Sequence, residues 1–375
     1  MNIDTFYNNI KGIFDKNDIK IDEISKEKYR NDWSTDFQSN PIAIVFPKTS
    51  KQVSDVIKLC NEAKHPIIGS GGRTGLSGGA SAISNELIVS FEKMDKILDF
   101  DSKSKTVLCE PGVITGNLQS FADDNNLYYP IDFSSVGSSQ IGGNIATNAG
   151  GIRVIKYGLT SKYVVGLDVV TGSGTLLSLD DMLLKNATGP DFKNFFIGSE
   201  GTFALTTSCR MQLISKPNET SVFLVGLNKI SSIEYIMNSI FQFDIEALEF
   251  FTRNSINQVK KEFENIDISQ LDNNYYLIIE LENDEKFVEY LEKIYKNNVV
   301  QEIIISRNNA QKESIWQYRL LISESLTRYL PMKFDIAVPK KNVTKLINKL
   351  EDFTYEDFEI LNYESHPGIS APISV

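Results

Sequence analysis

The chain has 375 residues, which at roughly 150 residues per domain predicts two or three domains and excludes a peptide or a single small binding module. Hydrophobic residues make up 41% and charged residues 23% of the chain, a composition typical of globular rather than disordered proteins. The formal net charge of −11 disfavours non-specific binding to nucleic acid or to an anionic membrane surface. Any anionic ligand must therefore be bound by local contacts rather than attracted by the overall charge of the protein.

The cysteines and the N-terminal sequence bear on the cell compartment. Cys60, Cys109 and Cys209 lie far apart and form no metal-ligand or redox spacing, which indicates buried thiols in a reducing compartment. The first residues lack a basic region followed by an apolar core, and no apolar run approaches the roughly 20 residues that span a bilayer. We expect a cytoplasmic protein with no transmembrane segment.

The first predicted elements are a helix over 51–64 and a short apolar strand, which lead into the first of three glycine-rich segments. These segments cover 66–80, 133–152 and 196–202, and the second has no charged residue. Of the 23 glycines, 20 fall between Gly69 and Gly201. Because glycine costs roughly 0.5–1 kcal/mol relative to alanine inside regular structure, this concentration indicates backbone conformations or close approaches that side chains forbid.

Tight turns explain any one of these segments, but three in one region favour anion binding. Bare main chain presents consecutive N–H groups to an anion, and hydroxyl groups add donors without charge. The hydroxyl groups concerned are those of Ser70, Thr74, Ser77, Ser138, Ser139 and Thr147. On a chain with a net charge of −11, this pattern predicts a pyrophosphate site.

Missing motifs argue against several other kinds of site. There is no Gly-Lys dipeptide for a triphosphatase loop, and the run from Gly69 to Thr74 has threonine where a Rossmann fingerprint needs its third glycine. The only histidines, His65 and His366, form no zinc motif, and Gly137-Ser138-Ser139 is not a hydrolase nucleophile elbow.

Taken in order, the motifs resemble those of the FAD-linked oxidases with the vanillyl-alcohol oxidase fold. The matching runs are PIIGSGGRTGLSGGA (66–80), 110–158, VVGLDVVTGSG (164–174) and FFIGSEGT (195–202). Within that family the chain is most similar to the D-lactate dehydrogenase, D-2-hydroxyglutarate dehydrogenase and glycolate oxidase flavin-subunit group, over roughly residues 30–340.

The resemblance implies an α+β protein with a two-part FAD-binding domain of the PCMH type and a cap domain with an antiparallel sheet and helices. We place an N-terminal helical segment at 1–37, the FAD-binding domain at 38–216 and the substrate or cap domain at 217–375. The last domain is expected to be truncated at its C-terminus relative to the family.

The resemblance also implies which residues bind FAD. The first segment would cradle the pyrophosphate, and the second would line the dinucleotide and the edge of the isoalloxazine. The implied residues are Ser70, Gly71, Gly72, Arg73, Thr74, Gly75, Leu76, Ser77, Gly78, Ser138, Gly142, Gly143, Asn144, Thr147, Asn148, Gly150, Gly151 and Gly201. Some relatives attach FAD through a histidine in the first loop. Since this chain has Arg73 and Thr74 there, the resemblance implies non-covalent FAD.

The second half has the alternating pattern of the family's cap domain. Strand-like runs at 221–227, 247–251, 275–282, 299–305 and 334–339 alternate with helical stretches such as 231–243 and 284–297. This order suits an antiparallel sheet backed by helices, laid over the reactive edge of the flavin.

A Trp-x-x-Arg run at Trp316 and Arg319 resembles the family's substrate-binding helix. On a helix Arg319 and Ser323 share one face, and Lys333 precedes the next predicted strand. The resemblance implies that Arg319, Ser323 and Lys333 bind the substrate carboxylate. Periodicity alone favours a solvated surface helix instead.

The C-terminal part departs from the family. Dehydrogenase-type relatives carry Gly-His-x-Gly-Asp-Gly-Asn-x-His and a later Glu-His-Gly, which supply metal ligands and a catalytic histidine. The corresponding segment keeps His366 and Gly368 but has Ile369 and Ile373 at the aspartate and second histidine positions, and the later motif is absent. We therefore predict no metal site, and His366 is the only histidine that could act as the catalytic base.

The function implied is oxidation of a small D-2-hydroxy acid, of the D-lactate, D-2-hydroxyglutarate or glycolate type, to the 2-oxo acid by hydride transfer to flavin N5. One alternative is a catalytically impaired FAD-binding subunit or truncated homologue that acts with a partner. Another is an FAD oxidoreductase of a non-carboxylate alcohol or a sugar lactone. The electron acceptor leaves no mark in the sequence, and a homodimer or a partner subunit stays open.

Overall fold

The computed structural model describes residues 3–34, 37–180, 182–183, 185–267, 271–326, 329, 336–356 and 373–374. The helices within them are α1 (Ile3–Ile13), α2 (Glu23–Tyr29), α3 (Ser50–Ala63), α4 (Thr115–Asp124), α5 (Ile141–Thr147), α6 (Val154–Tyr157), α7 (Lys193–Phe196), α8 (Ile230–Ser239), α9 (Arg253–Glu262), α10 (Glu285–Lys296), α11 (Asn309–Ser325) and α12 (Val343–Glu356).

The strands are β1 (Ile19–Lys20), β2 (Ala43–Val45), β3 (Ile67–Ser70), β4 (Leu87–Ser90), β5 (Ile97–Asp101), β6 (Thr106–Cys109), β7 (Leu127–Tyr128), β8 (Val164–Thr171), β9 (Leu176–Ser178), β10 (Ala204–Gln212), β11 (Ile214–Ser215), β12 (Thr220–Leu227), β13 (Ile245–Thr252), β14 (Tyr275–Glu282), β15 (Glu302–Ile305) and β16 (Ile373–Ser374). In the part of the chain that the structure describes, no helix is both long and apolar enough to cross a bilayer.

The chain divides into two compact units. The first comprises Met1–Gly150 and Leu159–Pro217, and the second comprises Gly151–Gly158 and Asn218–Val375. The first unit thus includes the N-terminal helices, which the sequence set apart at 1–37. It lacks residues 151–158, which the sequence placed inside the domain at 38–216.

The first unit contains a small sheet that leads directly into the first glycine-rich segment. Its strand order is β1-β2-β4-β3, in which β2 and β3 both run parallel to β4. Helix α3 packs on this sheet through Val53, Val56, Ile57 and Cys60, a spacing of three and four residues that gives one apolar face. The sheet and helix fix where β3 ends, at Ser70.

A second sheet of the first unit is antiparallel throughout, in the order β5-β6-β10-β8-β9. Cys109 on β6 lies opposite Cys209 on β10, and their Sγ atoms are 3.5 Å apart. These two thiols and that of Cys60 are free and buried, which confirms the burial expected from the sequence.

The second unit is built on one antiparallel sheet in the order β15-β12-β14-β13-β16. Apolar side chains from α9 and α11 pack on one face, and those from α8, α10 and α12 pack on the other. The predicted strand at 275–282 agrees with β14 at both ends.

One strand prediction in the second unit is wrong over its described residues. Residues 336–339 of the predicted strand 334–339 are not in a strand, and the other two lie outside the described part. Pro339 has no backbone N–H to donate to a ladder, and it directly precedes a 3-10 turn that leads into α12. The described partner of β13 on that side is β16.

Candidate functional site

The first two glycine-rich segments lie directly against each other in the first unit. A Cβ at position 72 would lie 2.2 Å from the backbone oxygen of Ser138, and one at Gly71 would lie 3.6 Å from the main chain of Gly143. Since real Cβ atoms do not approach backbone oxygens to 2.2 Å, only glycine fits at position 72 in this arrangement. The two loops can touch because position 72 has no side chain.

The third glycine-rich segment joins the same place. The N–H of Gly198 donates to the oxygen of Ile145 at 3.0 Å, and the N–H of Glu200 donates to that of Ala146 at 2.8 Å, both at the C-terminal end of α5. Gly201 has φ +78°, a left-handed conformation that favours glycine. Three segments that lie at least 50 residues apart in sequence therefore form one cradle, defined here by 70–78, 138–148 and 198–201.

Polar atoms in the cradle lack partners within the described chain. The Ser70 Oγ and the Gln140 Oε1 are buried and make no hydrogen bond there. A buried polar atom without a partner costs about 1–3 kcal/mol, so these two atoms fit a site whose ligand supplies the missing hydrogen bonds. Gln140 was not among the residues predicted from the sequence, since an isolated glutamine before a glycine pair carries no recognisable signal.

Open space lies beside α5. A Cβ at Gly143 would meet nothing within 4 Å, although residues 72 and 142 are crowded by Ser138 and Pro111. The cradle therefore combines tight loop contacts with room at one position of the second segment, as a bound dinucleotide requires.

Several predicted FAD-binding side chains are engaged within the protein. Asn144 donates to Thr115 Oγ1 at 2.7 Å, and Asn148 accepts from the N–H of Ser161 at 2.9 Å. Thr147 Oγ1 donates to the backbone oxygen of Gly143 at 3.1 Å. These three side chains shape the second segment, and their contacts with a ligand stay predictions.

Arg73 is also held within the protein. Its guanidinium bonds to Glu92 at 3.2 Å and lies 4.4 Å from the centroid of the Tyr29 ring. Burial raises the pKa of Tyr29, and its hydrogen bond to Glu92 adds to the shift, so the phenol stays neutral and donates to that carboxylate. Arg73 thus ties the first loop to α2, while its backbone, at φ +56°, remains part of the loop.

The remaining predicted residues differ in their surroundings. Thr74 is half-buried, and Gly75, Leu76 and Ser77 are exposed. A Cβ at Gly78 would lie 2.3 Å from the Phe37 ring. Exposed or half-exposed positions also include Ser138, Gly142 and Gly150. Gly151 is assigned to the second unit, whereas the other predicted FAD-binding residues are assigned to the first.

Arg319 lies on α11 and points at a buried carboxylate of the sheet in the second unit. Its Nε donates to Glu249 Oε2 on β13 at 2.5 Å. Ser323 follows one helical turn later and is half-buried. Two other predicted residues, Lys333 and His366, lie outside the described residues, so their roles stay predictions.

A second buried carboxylate anchors the same helix. Trp316 Nε1 donates to Glu280 Oε2 at 3.0 Å, and Lys312 pairs with the other oxygen of that carboxylate. Arg153, from the segment 151–158, bonds to Glu280 at 3.0 Å and to Glu246 at 3.3 Å. Burial raises the pKa of Glu280, but the nearby cations outweigh this effect and hold it below the ordinary value, so the carboxylate stays ionised.

The sequence contains a signal for these two buried glutamates. Glu249 and Glu280 interrupt otherwise apolar strands, in ALEFF and YYLIIELE, where a charged residue must be paired if it is buried. Which cation pairs with each glutamate depends on the tertiary structure.

Comparisons with known proteins identify the family. Residues 41–180 match the FAD binding domain, and residues 216–362 match the C-terminal domain of FAD linked oxidases. The D-2-hydroxyglutarate dehydrogenase of Stutzerimonas stutzeri (strain A1501) is 38% identical over 94% of this chain and 78% of its own length. The chain belongs to the FAD-linked oxidases.

One further relative supports the FAD-linked oxidase assignment, and one solved structure shows the same fold. The glycolate oxidase subunit GlcD of Bacillus subtilis (strain 168) is 29% identical over 91% of this chain and 74% of its own length. The solved structure of 4-ethylphenol oxidase from Gulosibacter chungangensis superposes with a TM-score of 0.73 at 15% identity, over 94% of this chain and 79% of the other. The family resemblance, the predicted fold and FAD as the cofactor are thereby confirmed.

No cluster of three or more His, Cys, Asp or Glu side chains suited to a metal ion occurs among the residues that the structure describes. The expected lack of a metal site stays a prediction, because His366 and its neighbours lie outside them.

Proposed function

We propose that this FAD-linked oxidase oxidises a D-2-hydroxy acid to the corresponding 2-oxo acid, and that D-2-hydroxyglutarate is the first substrate to test. The observation that carries the proposal is the partly buried Arg319, which uses only Nε among the described residues. Its Nη1 and Nη2 are thus available for a bidentate contact with a carboxylate. The relatives named as D-2-hydroxyglutarate dehydrogenase and as glycolate oxidase subunit support this substrate class.

The cradle in the first unit fits FAD. Its bare main chain can approach a pyrophosphate closely, and Ser70 Oγ and Gln140 Oε1 offer buried polar atoms without partners in the described chain. When bound there, FAD would supply the acceptor for the hydride of the substrate. Since Arg73 and Thr74 stand where some relatives carry a linking histidine, we propose that the cofactor is held non-covalently.

The protein's own groups would bind the acid and move its proton. The substrate carboxylate would be bound by Arg319, by Ser323 one helical turn later and by Lys333. These contacts would fix the position and the plane of the substrate. His366 would accept the hydroxyl proton as the C2 hydrogen leaves as hydride. The O–H bond and the C2–H bond break, the oxygen stays on C2, and a carbonyl forms there.

An anaerobic titration tests the proposal. Holoprotein is mixed separately with D-2-hydroxyglutarate, D-lactate, glycolate and L-2-hydroxyglutarate, and the absorbance of oxidised flavin is followed. We expect near-stoichiometric bleaching by one D-acid or by glycolate, and none by the L-enantiomer. If none of these acids bleaches bound flavin, the proposed function is wrong.

The Arg319→Lys variant tests the carboxylate contact. Lysine keeps the positive charge but loses the planar fork, so we expect KM for the acid to rise about 10-fold or more with FAD content unchanged. An unchanged KM would favour a substrate without a carboxylate, such as an alcohol or a sugar lactone.

A further inference from the structure

Glu249 is the most completely buried acid near the proposed substrate-binding residues. Its side chain is 0% exposed on β13, and that of Arg319 is 13% exposed. Oε2 accepts from Arg319 Nε at 2.5 Å, whereas Oε1 has no hydrogen-bond partner in the described part of the chain. A carboxylate buried with half of its hydrogen-bonding capacity unused is expensive, and an apolar residue there would avoid the cost.

The edge of the guanidinium that Glu249 uses decides what remains for a ligand. A guanidinium is planar, and its donors have fixed directions. A carboxylate at Nε therefore fixes the plane of the group while it leaves the Nη1 and Nη2 pair for a second carboxylate. Had Glu249 bound the Nη1 and Nη2 pair instead, a bidentate contact with substrate would be blocked.

Attachment of α11 to the sheet does not require Glu249. Glu280 already binds this helix through Trp316 Nε1 and Lys312, and apolar side chains of the helix, including Ile315 and Ile322, pack in the same core. Among the described residues, Arg319 is the only hydrogen-bond partner of the Glu249 carboxylate. Its effect is on the orientation of the guanidinium rather than on the position of the helix.

We propose that Glu249 is a positioning residue that holds the Arg319 guanidinium in the orientation required to bind the substrate carboxylate. The inference rests on the proposed function, since it assigns a role in binding the same hydroxy acid. In this role Glu249 would act through Arg319, without contacting the substrate or the cofactor itself.

The test compares Glu249→Gln with Glu246→Gln. Both variants remove a buried charge from β13, but Glu246 pairs with Arg153 and Lys156 and makes no described contact with Arg319. We expect Glu249→Gln to raise KM for the hydroxy acid about 10- to 100-fold, with a smaller change in kcat and an unchanged FAD content. Glu246→Gln should lower thermal stability to a similar extent without this rise in KM.

Ligand binding without turnover gives a second readout. The Kd of the 2-oxo acid, measured through the perturbation of the flavin spectrum, should rise by the same factor as KM in Glu249→Gln. Glu249→Asp keeps the carboxylate but places it one methylene farther from Arg319, so its Kd and KM should lie between those of wild type and Glu249→Gln. This variant also provides a test if Glu249→Gln does not fold.

Coupling to Arg319 completes the test. In an Arg319→Lys background, Glu249→Gln should change KM by less than about twofold, because the planar group it positions is absent. A KM for Glu249→Gln within twofold of wild type, or full additivity in the double variant, would overturn the positioning role while leaving the proposed function intact. A wild-type protein that no hydroxy acid bleaches would overturn both.

Discussion

At the scale of single residues, the glycines of the cradle serve two different purposes. At Gly72 and Gly142 a Cβ would collide with Ser138 and Pro111, so these positions bring chain segments together. At Gly143 a Cβ would meet nothing within 4 Å, and yet glycine stands there inside α5, where it weakens the helix. Because Gly143 lies in the cradle beside Gln140, we expect the space next to it to be used by the cofactor.

Replacing Gly143 by alanine should separate folding from FAD binding. Alanine should stabilise the apoprotein by up to about 1 kcal/mol, because it favours the helix and meets no neighbour. We expect the affinity for FAD to fall tenfold or more, since the methyl group enters the space that FAD would use. Chemical denaturation of the apoprotein and a fluorescence titration with FAD measure the two quantities.

The matched control is Gly12→Ala in α1, where a Cβ also meets nothing within 4 Å. It should raise stability without changing the affinity for FAD. If Gly143→Ala behaves in the same way, the space beside α5 is not part of the cofactor site.

At the scale of elements, the segment 151–158 was the least predictable. It follows the second glycine-rich segment directly, and its sequence has no feature that separates it from the first unit. In the structure Ile152 and Ile155 pack with the core of the second unit, while Arg153 and Lys156 pair with its glutamates. Its place is decided by partners about 90 residues or more away in sequence, which local patterns do not contain.

Other elements could be predicted because their signals are local. The apolar residues of α3 recur at intervals of three and four, and β14 is a nearly continuous apolar run that is buried from Tyr276 to Leu281. The strand predicted at 334–339 was wrong over its described residues, because Pro339 and the turn after it end the apolar run without a strand. For the site, glycine clusters and the Trp316 to Arg319 run could be found from sequence, but Glu249, Glu280 and Gln140 acquire their roles only through tertiary contacts.

Arg153→Ala should destabilise the second unit strongly. Arg153 bonds to two buried carboxylates, Glu246 and Glu280, and its removal leaves both with less compensation. We expect a loss of about 3–5 kcal/mol in the free energy of unfolding. Lys51→Ala, which breaks an exposed pair with Asp55 on α3, should cost less than about 0.5 kcal/mol. Equal losses in the two variants would show that the buried carboxylates do not depend on Arg153.

At the scale of the whole molecule, we expect the stability of the two units to depend on different conditions. The cradle lies in the first unit, so FAD should stabilise that unit by mass action, by about 2.7 kcal/mol at a free concentration 100 times Kd. The second unit instead holds the cluster of buried glutamates and cations, whose contribution depends on ionisation. Saturating FAD therefore provides a state in which acid effects on the second unit can be measured.

In the FAD-saturated protein, the effect of Glu280→Gln on the stability of the second unit should diminish as the pH falls. Burial raises the pKa of Glu280, but Arg153 and Lys312 lower it more, so its folded pKa lies below the ordinary 4.5. The stabilisation by the ionised carboxylate is complete above 4.5 and is lost as the pH falls through the folded pKa, because the unfolded chain takes up the proton first. Hydrogen exchange of the β14 amides should thus distinguish wild type from Glu280→Gln at neutral pH and no longer do so in acid. A difference that stays constant over this range would mean that Glu280 is not ionised in the folded protein.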